Sequence, residues 1–400
     1  MLFSKQKIAE QCRSFIQRRS SSNGTPVNAR LLHLFICPEN KQSANMTAND
    51  SLVGSSADLH IVLFPEDSFP IAKEFWQHTG QGISSRLAEK CLSLWPDDSP
   101  TVQRPTPVSG RFPSRGHNRH YSAVKVSCKS PAISHCPSSP TVEDLTKDHS
   151  VYLEERYGRN LPLAAAAFAK RALRSRVAGV LKENSYQSES CTEQKDLLVG
   201  PSTRGVPEVI LDDVYLYPTG MSTIWNAHNM ALAVLPPAKS VCFGLVLSYG
   251  LLRAFLTLFL PLPYRFPYID TLKVLQKWGP GCHFLGFGLD TDVDQLEILL
   301  EEESNRNPAY PPILALFTEF PSNPLLRSAN LPRLRALANK YDFLIIIDET
   351  VGNFVNVEVL PYADVVVSSL SKIFSGASNV MGGRYIFLFY LPLRRLAHDS

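Results

Sequence analysis

Residues 363–383 read ADVVVSSLSKIFSGASNVMGG. The β-branched run Val365–Val367 predicts a short buried strand, and it breaks into Ser368, Ser369 and Ser371 before a single lysine, Lys372. Open α/β sheets bind ligands beyond the carboxyl ends of their strands, so an amine and hydroxyls here would sit at a binding rim. A lysine after one strand is by itself an ordinary solvated group; what surrounds it in the sequence decides its meaning.

Three other stretches have the same build. Asp213–Tyr217 (DVYLY) predicts a strand closed by Pro218-Thr219-Gly220, with a helix over Met221–Val234. Such a strand, glycine and helix start offers free N–H groups and a positive dipole end to an anion. Ile313–Glu319 (ILALFTE) predicts a buried strand followed by Phe320-Pro-Ser-Asn323-Pro324. Phe343–Asp348 (FLIIID) predicts another, ending in an acid, after a helix over Asn330–Lys340 with Asn330 as its N-cap. Near-continuous Ile, Leu and Val runs indicate strands covered on both faces, hence a parallel sheet. Gly220, Asn323, Asp348 and Lys372 therefore collect at carboxyl ends. A pyridine-ring aldehyde cofactor with a phosphate would need this set: an amine, a carboxylate against the ring nitrogen, and phosphate ligands such as Ser369.

The remaining chain is less uniform. Residues 1–57 lack sustained periodicity and read as a flexible N-terminus; the basic first twenty faintly resemble an organellar presequence, against which Glu10 and their shortness weigh. A subdomain is predicted over 58–98, with a strand at Leu59–Phe64 and helices at Phe69–His78 and Ile83–Leu94. Residues 99–149 are rich in Pro, Ser, Arg and His and read as a linker. A strong helix former, Leu161–Lys182, opens the large domain, 150–383. The net charge of +3, without a basic stripe, gives no ground for a nucleic-acid partner. Eight cysteines without metal-ligand spacing read as reduced thiols, and the cytoplasm is the expected location.

Taken in order, Tyr157-Gly-Arg159, Thr219-Gly-Met221, Glu319-Phe-Pro-Ser-Asn323-Pro324, Asp348-Glu-Thr350 and Ser369-Leu-Ser-Lys372 resemble the pyridoxal-phosphate (PLP) enzymes of cysteine and methionine metabolism, and most nearly fungal cystathionine γ-synthase. The segments LEERYGRNL, LYPTGMSTI, LQKWGPGCHF and ALFTEFPSNPLLRS carry the likeness, as do NKYDFLIIIDETVGNF and SSLSKIFSG; FPEDSFPIAKEFWQHTGQGISSRLAEKCL is similar to that group's N-terminal extension. The resemblance implies an α/β fold of the aspartate aminotransferase-like type, fold type I, with a mainly parallel sheet in the large domain and a C-terminal small domain. It implies Lys372 as the lysine that links to PLP and moves protons, with Asp348 on the ring nitrogen and Thr350 beside the ring. Asn323 falls on the phenolic oxygen, and Gly220, Met221, Ser369 and Ser371 on the phosphate. Phe243 stands where the family stacks a tyrosine, and Tyr157 and Arg159 reach the phosphate of a neighbouring subunit. The implied partners are an O-acylhomoserine, by analogy O-acetylhomoserine, and cysteine, joined to cystathionine in a homodimer or homotetramer. Sulfhydrylase and lyase reactions stay open within the family.

Two stretches break the pattern. LVLSYGLLRAFLTLFLPLPYR, residues 245–265, separates flanks that the family runs together. Arg253 in its middle and two prolines argue against a membrane span; it reads as retained intron sequence or a loop insertion. After Gly383 the likeness stops, and 384–400 read as an aberrant tail standing where the family's small domain, with its substrate-carboxylate arginine, would begin. A truncated, non-catalytic isoform or a mis-spliced gene is the competing expectation.

Overall fold

The computed structural model describes residues 1–37, 56–94, 166–181, 200–243, 269–323, 326–377 and 380–388. Residues 99–149, Tyr157, Arg159 and 245–265 lie outside them.

The first 94 residues build an antiparallel three-stranded sheet from β1 (Leu2–Phe3), β2 (Arg30–Ile36) and β3 (Ala57–Leu63), in the order β1-β3-β2. Helices α1 (Gln6–Ser22), α2 (Phe69–Thr79) and α3 (Ser85–Leu94) accompany it. The expectation of a flexible start is corrected here over residues 1–37. Ala9, Cys12 and Ile16 recur at helical spacing in α1 and are fully buried against Phe3, Val62, Ala72 and Phe75. Their burial outweighs the polar, basic remainder of the helix.

The larger part is a sheet of seven strands between two helical layers. Its elements in chain order are α4 (Ala166–Ala178), β4 (Val214–Tyr217), α5 (Gly220–Val234), β5 (Ser240–Phe243), α6 (Ile269–Lys277) and β6 (Cys282–Leu285). They continue with α7 (Asp290–Arg306), β7 (Ala315–Glu319), α8 (Leu331–Tyr341), β8 (Leu344–Asp348), α9 (Asn353–Asn356), β9 (Val365–Ser369) and β10 (Gly383–Phe387). The sheet order is β4-β10-β9-β8-β7-β5-β6, parallel from β9 to β6 and antiparallel on both sides of β10. Along each central strand the side chains alternate between two apolar layers. Val241, Leu316, Ile345, Ile347 and Val366 meet α4, α7 and α8 on one face, whereas Phe317, Leu344, Ile346, Val365 and Val367 meet α5 and α6 on the other.

Local chemistry sets the helix limits. Thr219 caps α5 by accepting the Ser222 N–H at 3.0 Å, and Asn330 caps α8 by accepting that of Arg333 at 3.2 Å. Asp342, left-handed at φ 58°, ends α8.

The reading of 384–400 as an aberrant tail is corrected over 384–387 by β10, which lies inside the sheet between β4 and β9; residues 389–400 lie outside the described residues. Its apolar, acid-poor character suits a strand buried on both faces. The one charge, Arg384, is fully buried and pairs with Glu349, which also receives Arg204 at 3.2 Å; Arg204 in turn reaches Glu358 at 3.3 Å. Both guanidinium groups lie over the Phe354 ring, at 4.9 and 5.5 Å.

The two parts join around Trp278, whose indole stacks on Phe15 at 4.8 Å and meets Phe75, His78 and Trp225 edge-on. A second joint is Gly80, left-handed at φ 60°, whose carbonyl accepts the Thr219 hydroxyl at 3.0 Å. A Cβ at Gly80 would lie 2.2 Å from Thr219 Oγ1, so only glycine fits this approach.

Candidate active site

Beyond the carboxyl ends of β7, β8 and β9 lies a cavity of about 350 Å³, and its lining includes Gly220, Asn323, Asp348, Thr350, Ser369 and Lys372. Six of the residues singled out from sequence are thus brought together by four elements. The parallel register is the cause: Glu319 stands beside Asp348, and Asp348 beside Val367, so the strands end level and their following residues converge.

Asp348 is the half-buried carboxylate at the end of β8 in this cavity. Its Oδ1 accepts the Thr350 N–H at 2.9 Å, and the Thr350 hydroxyl in turn accepts the Ser369 N–H at 2.8 Å, tying the ends of β8 and β9. Burial pushes the Asp348 carboxyl up, with hydrogen bonds from Thr350 opposing that shift. Among the described residues it has no ion pair, and a half-buried carboxylate without a cation costs free energy. A cationic group in the cavity would relieve that cost.

Lys372 lies on a single π-helical turn, Leu370–Phe374, where the backbone departs from helical angles (φ −93°, ψ −116°). Its side chain is exposed at the cavity rim and has no ion pair among the described residues. At the opposite wall, α5 begins. The Thr219 side chain takes the Ser222 amide and its carbonyl takes that of Thr223, which leaves the amides of Gly220 and Met221 as the turn's donors. A Cβ on Gly220 would lie 2.7 Å from that of Ser369, so turn and hydroxyl are in close contact only because residue 220 is glycine.

The remaining expected residues sit elsewhere. The Met221 side chain is buried in the α5 layer. Ser371 exchanges hydrogen bonds with Gly382, accepting its N–H at 3.0 Å and donating to its carbonyl at 3.4 Å. Phe243, 2% exposed, shares the face of Val241 and packs in the core with α7 and α8 rather than lining the cavity. Strand alternation determines that direction. Tyr157 and Arg159 lie outside the described residues.

One wall residue was not singled out from sequence. Glu319 lines the cavity, and its Oε2 accepts the Asn323 N–H at 3.1 Å, fixing the start of the loop that carries Asn323. Burial, together with the neighbouring Asp348 charge, raises the Glu319 carboxyl to about 7. A strand-ending acid was visible in the sequence, but its pairing with Asp348 is a fact of register between strands.

The donor set suits a phosphorylated pyridine aldehyde: among the described residues, an amine and a half-buried carboxylate without an ion pair, and unpaired amides with a hydroxyl at a helix start. Comparison with known proteins agrees. Residues 1–84 match the fungal trans-sulfuration enzyme N-terminal domain, and residues 289–387 match the Cys/Met metabolism PLP-dependent enzymes. The chain is 48% identical over 396 residues to the cystathionine gamma-synthase-like enzyme iboG2 of Amanita muscaria, covering 96% of this chain and 55% of that protein. It is 36% identical over 400 residues to the cystathionine gamma-synthase of Neurospora crassa, covering 97% and 59%. It is 33% identical over 332 residues to alanine racemase ungC of Aspergillus violaceofuscus, covering 83% and 43%. The chain thus spans less than two thirds of the length of these curated relatives. By its sheet, its cavity and both matched regions, it belongs to the PLP-dependent enzymes of cysteine and methionine metabolism, in the fungal trans-sulfuration group.

Proposed function

We propose that the protein of which this chain is the matched part catalyses γ-replacement, joining an O-acylhomoserine to the sulfur of cysteine. With O-acetylhomoserine the products are cystathionine and acetate. The observation that carries this reading is the convergence of Lys372, Asp348, Asn323, Thr350, Ser369 and Gly220 on one cavity.

Bound there, PLP supplies an electron sink for bonds broken at the amino-acid substrate. Lys372 Nζ would hold the cofactor and would carry protons between substrate carbons. Asp348 keeps a proton on the ring nitrogen through a charge-assisted hydrogen bond, which offsets the cost of its own burial. Asn323, on the cavity wall, would hydrogen-bond the phenolic oxygen, and Thr350 orients Asp348. The Gly220 and Met221 amides, with Ser369, hold the phosphate at the positive end of α5. Ser371 acts through the Gly382 backbone that it grips. Tyr157 and Arg159 would complete the phosphate site of a neighbouring subunit in a homodimer or homotetramer, whereas Phe243 packs in the core away from the cavity.

A second reading stays within the same chemistry. The relatives bear the names of a γ-synthase, a γ-synthase-like enzyme and a racemase, so proteins similar to this chain are named for more than one reaction. The deciding experiment supplies PLP with O-acetylhomoserine and cysteine, then separately O-acetylhomoserine with sulfide, cystathionine alone, and L-alanine. Mass and chiral analysis should show cystathionine and acetate as the main products. Lys372→Ala should lower their formation by at least about 10³-fold, in the upper part of the range for a proton-transferring side chain. Homocysteine from sulfide, cleavage of cystathionine, or D-alanine as the main product would replace γ-replacement by the corresponding reaction.

A further inference from the structure

The three-stranded sheet carries a cluster that the cavity does not use. In the antiparallel register of β2 and β3, His33 stands opposite His60, and Phe35 opposite Asp58. Directly opposed residues share a sheet face, and so do residues two apart on one strand, so His33, Asp58 and His60 fall on the same face. Their side chains meet there. His33 Nε2 contacts Asp58 Oδ1, and the two imidazole rings stack with centroids 4.7 Å apart and planes 9° apart. One ligand atom from each residue lies within 4.8 Å of the others. His60 is 7% exposed, while His33 and Asp58 face solvent. Among the described residues, Asp58 has no ion pair other than with His33.

We propose that His33, His60 and Asp58 bind a divalent transition-metal ion of the zinc class. Two imidazole nitrogens and one carboxylate oxygen are donors that zinc takes at about 2.0–2.2 Å, and such a set is unsuited to calcium or magnesium, which prefer all-oxygen shells. Small side-chain rotations draw a cluster of this spread onto one ion, and the open side leaves a position for water. His60, the buried member, anchors the ion to β3, and His33 anchors it to β2, which among the described strands pairs with β3 alone. The ion therefore clamps the two strands and fixes their register, a structural task separate from the Lys372 cavity, which none of the three residues lines.

The test is calorimetric titration of zinc chloride into chelator-treated, tag-free full chain, with cobalt(II) absorption as a second readout of the donor set. His33→Ala and Asp58→Asn are the main variants because both positions are exposed and leave the sheet core intact. Cys37→Ser, just past β2, is the control. The expected result is one zinc site in the parent and in Cys37→Ser, weakened at least about 100-fold in the two main variants. Zinc should also raise the melting temperature of the parent but not of His33→Ala. Identical isotherms for the parent and His33→Ala, binding lost only in Cys37→Ser, or no binding at millimolar zinc would each overturn the proposal.

Discussion

In the seven-stranded sheet, β7, β8 and β9 are apolar until their last one or two residues, and the chemistry waits at their ends: Glu319, Asp348 and Ser369, with Lys372 beyond. In the three-stranded sheet, the polar cluster of His33, Asp58 and His60 lies along the strands, on a face. Coverage explains the contrast. Helices on both faces leave a parallel strand no place for a polar side chain except its end. An antiparallel strand at the edge of the described sheet, such as the largely exposed β2, can carry polar groups along its length. The first arrangement makes a concave pocket with a half-buried anion, and the second makes a shallow surface site.

This contrast can be broken by attacking what keeps the large sheet's polar groups tolerable. Glu349→Ala leaves Arg204 and Arg384 buried without their shared carboxylate. Loss of one partner of such a network should cost about 3–5 kcal/mol, read by urea unfolding. A cost near zero would mean that β10 tolerates an unpaired buried cation, and the distinction between strand ends and strand faces would fail.

A smaller effect comes from Glu319. Its carboxyl is raised to about 7 from an ordinary 4.5, so between those pH values the folded chain holds a proton that the unfolded chain has released. Stability is therefore highest below about pH 4.5 on this account, falls as pH rises towards 7, and is then flat, a loss of at most about 3 kcal/mol. Glu319→Gln should remove that slope in the cofactor-free protein, measured by unfolding at pH 5 and pH 8. An unchanged slope would assign it to other groups.

The smallest effect tests the joint between the two sheets. Gly80→Ala places a methyl group against Thr219 and forces a left-handed alanine, which should cost about 1–2 kcal/mol and lower the melting temperature by a few degrees. No change would show that the two parts meet loosely at this point.

Much of the central sheet was legible because ILALF, FLIII and VVV are continuous apolar runs with clear ends. β5 (SVCF) and β6 (CHFL) are four residues each and mix Ser, Cys and His, so no period stands out. β10 was hidden because Arg384 reads as solvent-facing until Glu349, 35 residues earlier, is placed beside it. In α1 the spacing of Ala9, Cys12 and Ile16 was present but masked by surrounding basic and polar residues. At the site, Asp348 and Lys372 were legible as strand-end polar residues. The orientation of Phe243 and the pairing of Glu319 with Asp348 depend on which strands become neighbours, and no local pattern encodes that.

Thr219 does two things at once: it accepts the amide that opens α5 and donates its own proton to the Gly80 carbonyl. The carbonyl belongs to the first 84 residues, which also supply Phe15, Phe75 and His78 to the ring cluster of Trp278. Gly80 ends α2, so loosening that helix would remove the acceptor from the turn that opens α5 beside the cavity. A ligand held at that turn would then favour the packed N-terminal part, and the packed N-terminal part the ligand. A region that contributes no wall to the pocket thus acts as its tensioner.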